Sequence, residues 1–133
     1  DATYTRARLQ GVGPDDRIPN AVRNTASLGM NVDDINNSGW SGGMRLRYLG
    51  TAPLIEDNSV RTESTFLVNA QISKALTPTM SLSLELLNVL DSRDTDITYF
   101  YESRLPGEAA AIEDIHFHPA EPRSIRVTLS ARF

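Results

Sequence analysis

The only two histidines of this 133-residue chain stand two positions apart, in His116-Phe117-His118, with Glu113, Asp114 and Glu121 close by. Alternate residues of an extended segment share a face, so this spacing brings zinc-type donors to one side. A mobile surface loop accounts for the same residues without a metal, and that reading is adopted. In an outward-facing loop, His116 and His118 become candidate ligand contacts. Asp34-Ile35-Asn36-Asn37-Ser38-Gly39 copies the first six positions of a calcium loop, but position twelve, which needs a bidentate Glu, is Arg45. That cation defeats coordination and leaves a polar hairpin turn. Arg45 and Arg47 can clamp an anion, yet a charged ladder with Glu85 or an Asp on a neighbouring strand needs no substrate. Asp91, Asp94 and Asp96 suit a solvated bend better than an acid/base pair. No base sits in a motif with a nucleophile, so the expectation is a non-enzyme with no catalytic residue, no resident metal and no cofactor.

Composition narrows the elements that carry these residues. The chain has 13 basic and 17 acidic side chains, a net charge of −4, and no cysteine. Disulfide scaffolds and thiolate chemistry are excluded. Nucleic acid is not an expected partner, because phosphate neutralisation needs clustered Lys and Arg. No apolar run approaches the ~18 residues of a membrane helix, and the first residues do not read as a signal peptide. The length suits one domain.

Period-two alternation is the strongest pattern, and it belongs to a sheet with two chemically different faces. Ala26, Leu28, Met30 and Val32 alternate with Thr25, Ser27, Gly29 and Asn31. Trp40, Gly42, Met44, Leu46 and Tyr48 alternate with Ser41, Gly43, Arg45 and Arg47. Phe66, Val68, Ala70 and Ile72 face away from Asn69, Gln71 and Ser73, and Met80, Leu82, Leu84 and Leu86 from Ser81, Ser83 and Glu85. The last stretch sets Ile125, Val127, Leu129, Ala131 and Phe133 against Arg126, Thr128, Ser130 and Arg132. Ala2 to Leu9 reads as a sixth strand that starts without a cap or turn, as if the chain began inside it.

Connections alternate in length. Gln10–Asn24, Thr51–Glu63 and Arg104–Glu121 are long, whereas Asp33–Gly39 and Thr77-Pro78 are short. The stretch 79–103 allows one strand bent at Asn88–Asp91 or two strands; one bent strand is preferred, which puts the C-terminus on the short-turn side. Ala and Glu in Gly107–Ile115 suffice for one or two helical turns.

Alternation suits a soluble sandwich, with its apolar face on a second sheet, and equally a membrane barrel, with its apolar face in lipid. The first requires Leu28, Leu46, Val68 and Leu84 to meet in one dry core. Three features favour the barrel: long apolar rows, aromatics near strand ends (Tyr4, Trp40, Tyr48, Phe66, Phe133), and one rim of short turns. Its lumen would be lined by Arg45, Arg47, Asn69, Gln71, Glu85 and Arg126, with Arg132 on the same face. A soluble β-sandwich binding module is the alternative.

Four motifs carry a family resemblance. Ile18-Pro19-Asn20-Ala21-Val22-Arg23 with Thr25-Ala26-Ser27-Leu28 resembles an Ile-Pro-Asn-x-Pro-x-(His)-Thr strand start, departing at Val22 and Asn24. Tyr48-Leu49-Gly50 resembles an Arg-x-Tyr-x-Gly strand exit, with Arg47 shifted by one. Leu87-Asn88-Val89-Leu90-Asp91 resembles Asn-Leu-Phe-Asp, and the run from Glu121 to Phe133 is similar to a closing Pro-Arg-x-Ile-x-Val-x-Leu-x-x-x-Phe strand. In this order they resemble the C-terminal part of TonB-dependent outer-membrane receptors. The resemblance implies an all-β, antiparallel up-and-down transmembrane β-barrel, residues 1–133 being the last six strands of about 22, without the plug domain. It implies a bacterial outer-membrane location and import of a scarce nutrient, such as a ferric siderophore, on TonB-coupled energy. The implied partners are outer-membrane lipid, the rest of the barrel and plug, TonB, a small nutrient ligand, and the barrel assembly machinery. The last of these would read Ile125, Val127, Leu129 and Phe133.

Overall fold

Where residues alternate, each stretch pairs with the one before it, because the short turns bring consecutive strands together. A computed structural model describes all 133 residues. It contains β1 (Ala2–Tyr4), β2 (Asn24–Val32), β3 (Trp40–Leu49), β4 (Thr65–Thr77) and β5 (Met80–Leu87). There follow β6 (Thr95–Ser103), β7 (Ile112–Pro119) and β8 (Ser124–Ala131). The chain is all-β, and every strand pair is antiparallel. Six strands form one sheet in the order β1-β2-β3-β4-β5-β8, and β6-β7 form a separate ribbon. Both edges of the six-stranded sheet, β1 and β8, are open.

Register lines up the two chemistries. One face carries continuous rows such as Met30–Met44–Ala70–Leu86–Ile125 and Gly42–Ile72–Leu84–Val127. The opposite face carries Asn31–Gly43–Gln71–Glu85–Arg126. The apolar rows have no second layer. Leu28 is 71% exposed and Leu84 37%, whereas Val68 is buried, so the four residues of the sandwich expectation form no common core. Only 8 residues are buried in all, and the chain exposes 9778 Å². A compact monomer of the same 14.7 kDa exposes about 6,900 Å². The excess is the surface of an open sheet.

Several local expectations are corrected. The first strand stops at Tyr4 instead of reaching Leu9, after a last bond from Thr5 N–H to the Arg23 carbonyl. An Arg8–Asp16 ion pair and the bond from Leu9 N–H to the Asp16 carbonyl then fold residues 8–16 into a loop. Gly107–Ile115 forms no helix: a turn closes between Leu105 and Glu108, and β7 begins at Ile112. β-branched Ile112 and Ile115 favour the strand. His116 and His118 therefore lie on β7 and not in a mobile loop. Phe133 falls beyond the end of β8.

The stretch 79–103 is two strands, not one bent strand. Asn88 and Asp91 have φ of 48° and 56°, a left-handed backbone that turns the chain instead of bending a strand. The Asn88 side chain is 3% exposed and fully engaged. Its Nδ2 donates to the carbonyls of Ser92 (2.9 Å) and Glu121 (3.0 Å), and its Oδ1 accepts from Ser92 N–H (2.9 Å). It thus ties the base of the β6-β7 ribbon to the start of β8. The main sheet still has six strands, because β8 returns to pair with β5, and the C-terminus lies on the short-turn side.

Asn88→Ala should cost roughly 2–4 kcal/mol, from the hydrogen bonds lost to Ser92 and Glu121 and from a left-handed backbone that Asn tolerates better than Ala. Asn88→Gly should recover about 1 kcal/mol of that, since glycine removes only the backbone strain. Denaturant titration followed by the fluorescence of Trp40, the sole tryptophan, measures both.

Candidate functional site

Residues that could do chemistry fall in two places. The first is the polar face of the sheet. Arg45 and Asn69 are cross-strand partners, as are Gln71 and Glu85, and Glu85 and Arg126. With Gly29, Asn31 and Gly43 they border a shallow depression of about 410 Å³. Gly43 leaves room for the Asn31 amide, whose Oδ1 lies across its bare backbone where a β-carbon would otherwise stand.

Electrostatics on this face differ from the expected ladder. Glu85 pairs with Arg126 at 3.1 Å, its directly opposed neighbour, and not with Arg45 or Arg47. Arg47 lies opposite Leu67 on β4 and Ser27 on β2, and no carboxylate is within ion-pair reach of either Arg45 or Arg47. Asn69 is occupied structurally, its Oδ1 accepting from Asn88 N–H at 3.0 Å. The face therefore presents two free guanidiniums beside one neutralised pair. Guanidiniums left without a carboxylate can pair with an anion.

The second place is the β6-β7 ribbon, which leaves the sheet at the long-loop rim. Its base is docked rather than solvated. Asp94, read from sequence as part of a bend, accepts Phe66 N–H at 2.6 Å, and the Thr65 hydroxyl donates to the Thr95 carbonyl at 3.2 Å. On the ribbon Tyr99 lies opposite His116, and Ile97 opposite His118. The Tyr101 and His116 rings stack with centroids 4.0 Å apart and planes 17° from parallel. Both tyrosines and both histidines border an open depression of about 600 Å³. Sequence reading singled out the histidines and not the two tyrosines. Their union required the β6-β7 register, for which no motif exists.

Other elements at the long-loop rim are framework. Loop residues Asn20 and Arg17 bond to the backbone of Pro53 and Glu56, joining the first two long loops. Asp57, in the loop after β3, is held below its ordinary pKa of 3.8 by the Ser59 backbone N–H and hydroxyl, each at 2.9 Å. At the opposite rim the calcium-like segment is the β2-β3 turn. Asp34 Oδ1 accepts Gly39 N–H at 2.7 Å, so its carboxylate closes the turn. The C-terminal residues Ile125, Val127 and Leu129 project from β8 on the apolar face, each at least 60% exposed. No group of three or more His, Cys, Asp or Glu side chains converges as a metal site. No protein-family model matches the chain, and no curated protein matches it.

Because the Glu85–Arg126 pair is partly exposed, a double-mutant cycle with Glu85→Gln and Arg126→Gln should give a coupling below about 1 kcal/mol. Raising salt should shrink it further.

Proposed function

We propose that this chain is the C-terminal wall of a TonB-dependent outer-membrane receptor, six strands of a larger transmembrane barrel. The observation that carries the reading is the uncovered apolar face. Rows of Leu, Met, Ile and Val run across five paired strands with no layer over them, while the other face is charged and amide-rich. In water that arrangement is costly, at about 25 cal/mol for each Å² of apolar surface. In a bilayer the same face meets its natural solvent, and the polar face encloses a wet lumen.

Aromatic placement supports the same reading. Tyr48 and Phe66 are paired at the long-loop end of the apolar face, and Trp40 lies at the short-turn end. Positions 40 and 48 are about 27 Å apart along a strand, or roughly 20 Å along the normal at a 40° tilt, near the ~25 Å of an outer-membrane apolar band. Lys74 lies opposite Trp40 on this face, and its ammonium reaches the Ser38 carbonyl in the turn and sits 5.2 Å from the indole. A long cation that bends back to the rim is snorkelling.

On this reading the remaining strands and the plug come from chain outside these residues, and they pair with the free edges of β1 and β8. Arg45, Arg47, Gln71 and the Glu85–Arg126 pair line the lumen. Ile125, Val127, Leu129 and Phe133 form the segment read during barrel assembly. The substrate is a scarce nutrient complex, such as a ferric siderophore, and TonB supplies the energy.

In the complete receptor in lipid, Leu84→Arg should cost roughly 2–4 kcal/mol, and Glu85→Gln far less. Trp40 should be quenched by bromines placed near the headgroups, and a tryptophan at Leu84, with Trp40→Phe, by bromines deep in the acyl chains. A tryptophan at Gln71 should respond only to aqueous quenchers. Equal quenching at positions 71 and 84 would overturn the assignment of faces. Uptake of iron from a panel of ferric siderophores should collapse when TonB is deleted.

A further inference from the structure

We propose that His116 and His118 together form a two-nitrogen site for a divalent transition-metal ion on the β6-β7 ribbon. They are the chain's entire complement of imidazoles, and it has no thiol, so any nitrogen or sulfur side-chain chemistry of this kind is concentrated here. β7 is a paired strand through both positions, which places the rings on one face about 6.7 Å apart at their α-carbons. Two imidazoles leaning together from that spacing can share one ion, with metal–nitrogen distances of about 2.0–2.1 Å.

Three observations make the pair available. Both residues border the same open depression. Neither ring makes a hydrogen bond to another protein group, and His116 Nε2 is covered yet unpartnered. The His116 ring stacks on Tyr101, with centroids 4.0 Å apart. Such a stack is weak beside a pair of metal–nitrogen bonds and yields to coordination.

Imidazole donors select zinc, copper or nickel over calcium and magnesium, which prefer oxygen. Since no third His, Cys, Asp or Glu joins the pair, the ion keeps several open positions. Water fills them, or a small chelator already holding the metal, with the Tyr99 phenol across from His116 facing the same space. The site does not depend on the sheet lying in a membrane.

The test titrates the complete chain, refolded in detergent, with Ni(II) by calorimetry and with Cu(II) by electron paramagnetic resonance. One ion should bind per chain, and the copper spectrum should show two nitrogen ligands. His116→Ala and His118→Ala should each weaken Ni(II) binding on the order of 100-fold, the advantage that tethering two donors confers. Asp114→Asn and Glu113→Gln should leave it unchanged. Circular dichroism checks that each variant keeps its strands, and His118→Gln serves as a milder second variant. The proposal is overturned by wild-type affinity in either histidine variant, by a single-nitrogen copper spectrum, or by loss of binding in the carboxylate variants.

Discussion

The whole structure depends on a mismatch between its two interaction systems. Main-chain hydrogen bonding joins neighbouring strands within the plane of the sheet from β1 to β8 and is left unpaired at the two outer edges. Apolar burial within the chain is small, reaching Ala52, Leu54 and Val68, while rows such as Met30, Met44 and Ile125 remain largely exposed. A sheet of this kind has its secondary structure complete and its tertiary structure missing. In the proposed receptor lipid supplies that missing layer, and further strands pair with the open edges.

The chain departs from the regular sheet at its long-loop rim. Asn88 breaks the β5 strand by adopting a left-handed backbone, and its amide then binds both ends of the excursion it creates. Asp94 and Thr65 fasten the base of that excursion to β4. The β6-β7 ribbon is thereby held as a paired element instead of a floppy loop. It carries the tyrosines and histidines on one face, while the wall keeps its arginines on another. The two surfaces differ in chemistry: the sheet presents guanidiniums without carboxylate partners, and the ribbon offers rings and imidazole nitrogens.

Much of the wall was legible because the strand code is local. Side chains repeat every two residues, and a two-residue turn at Pro78-Thr79 or a short one at Asp33–Gly39 leaves little freedom in register. Hence the faces of Arg45, Gln71, Leu84 and Glu85 follow from parity alone. Parity does not say which neighbour a charge will choose. Glu85 pairs with Arg126, 41 residues away, because β8 returns to β5 after the ribbon, and this leaves Arg45 and Arg47 unpaired. The helical reading of Gly107–Ile115 failed for a related reason: weak local propensity was overridden by pairing with β6.

What the sequence determined by itself is the identity of the main strands and the side on which each residue stands, since both depend only on neighbours along the chain. Tertiary structure alone decided where β5 ends, that residues 95–103 pair with 112–119, and that His116 rests on Tyr101. Those outcomes hinge on a left-handed turn at Asn88 and on contacts between residues far apart in sequence. Closing such loops is settled by the free energy of the assembled rim, which no local pattern encodes.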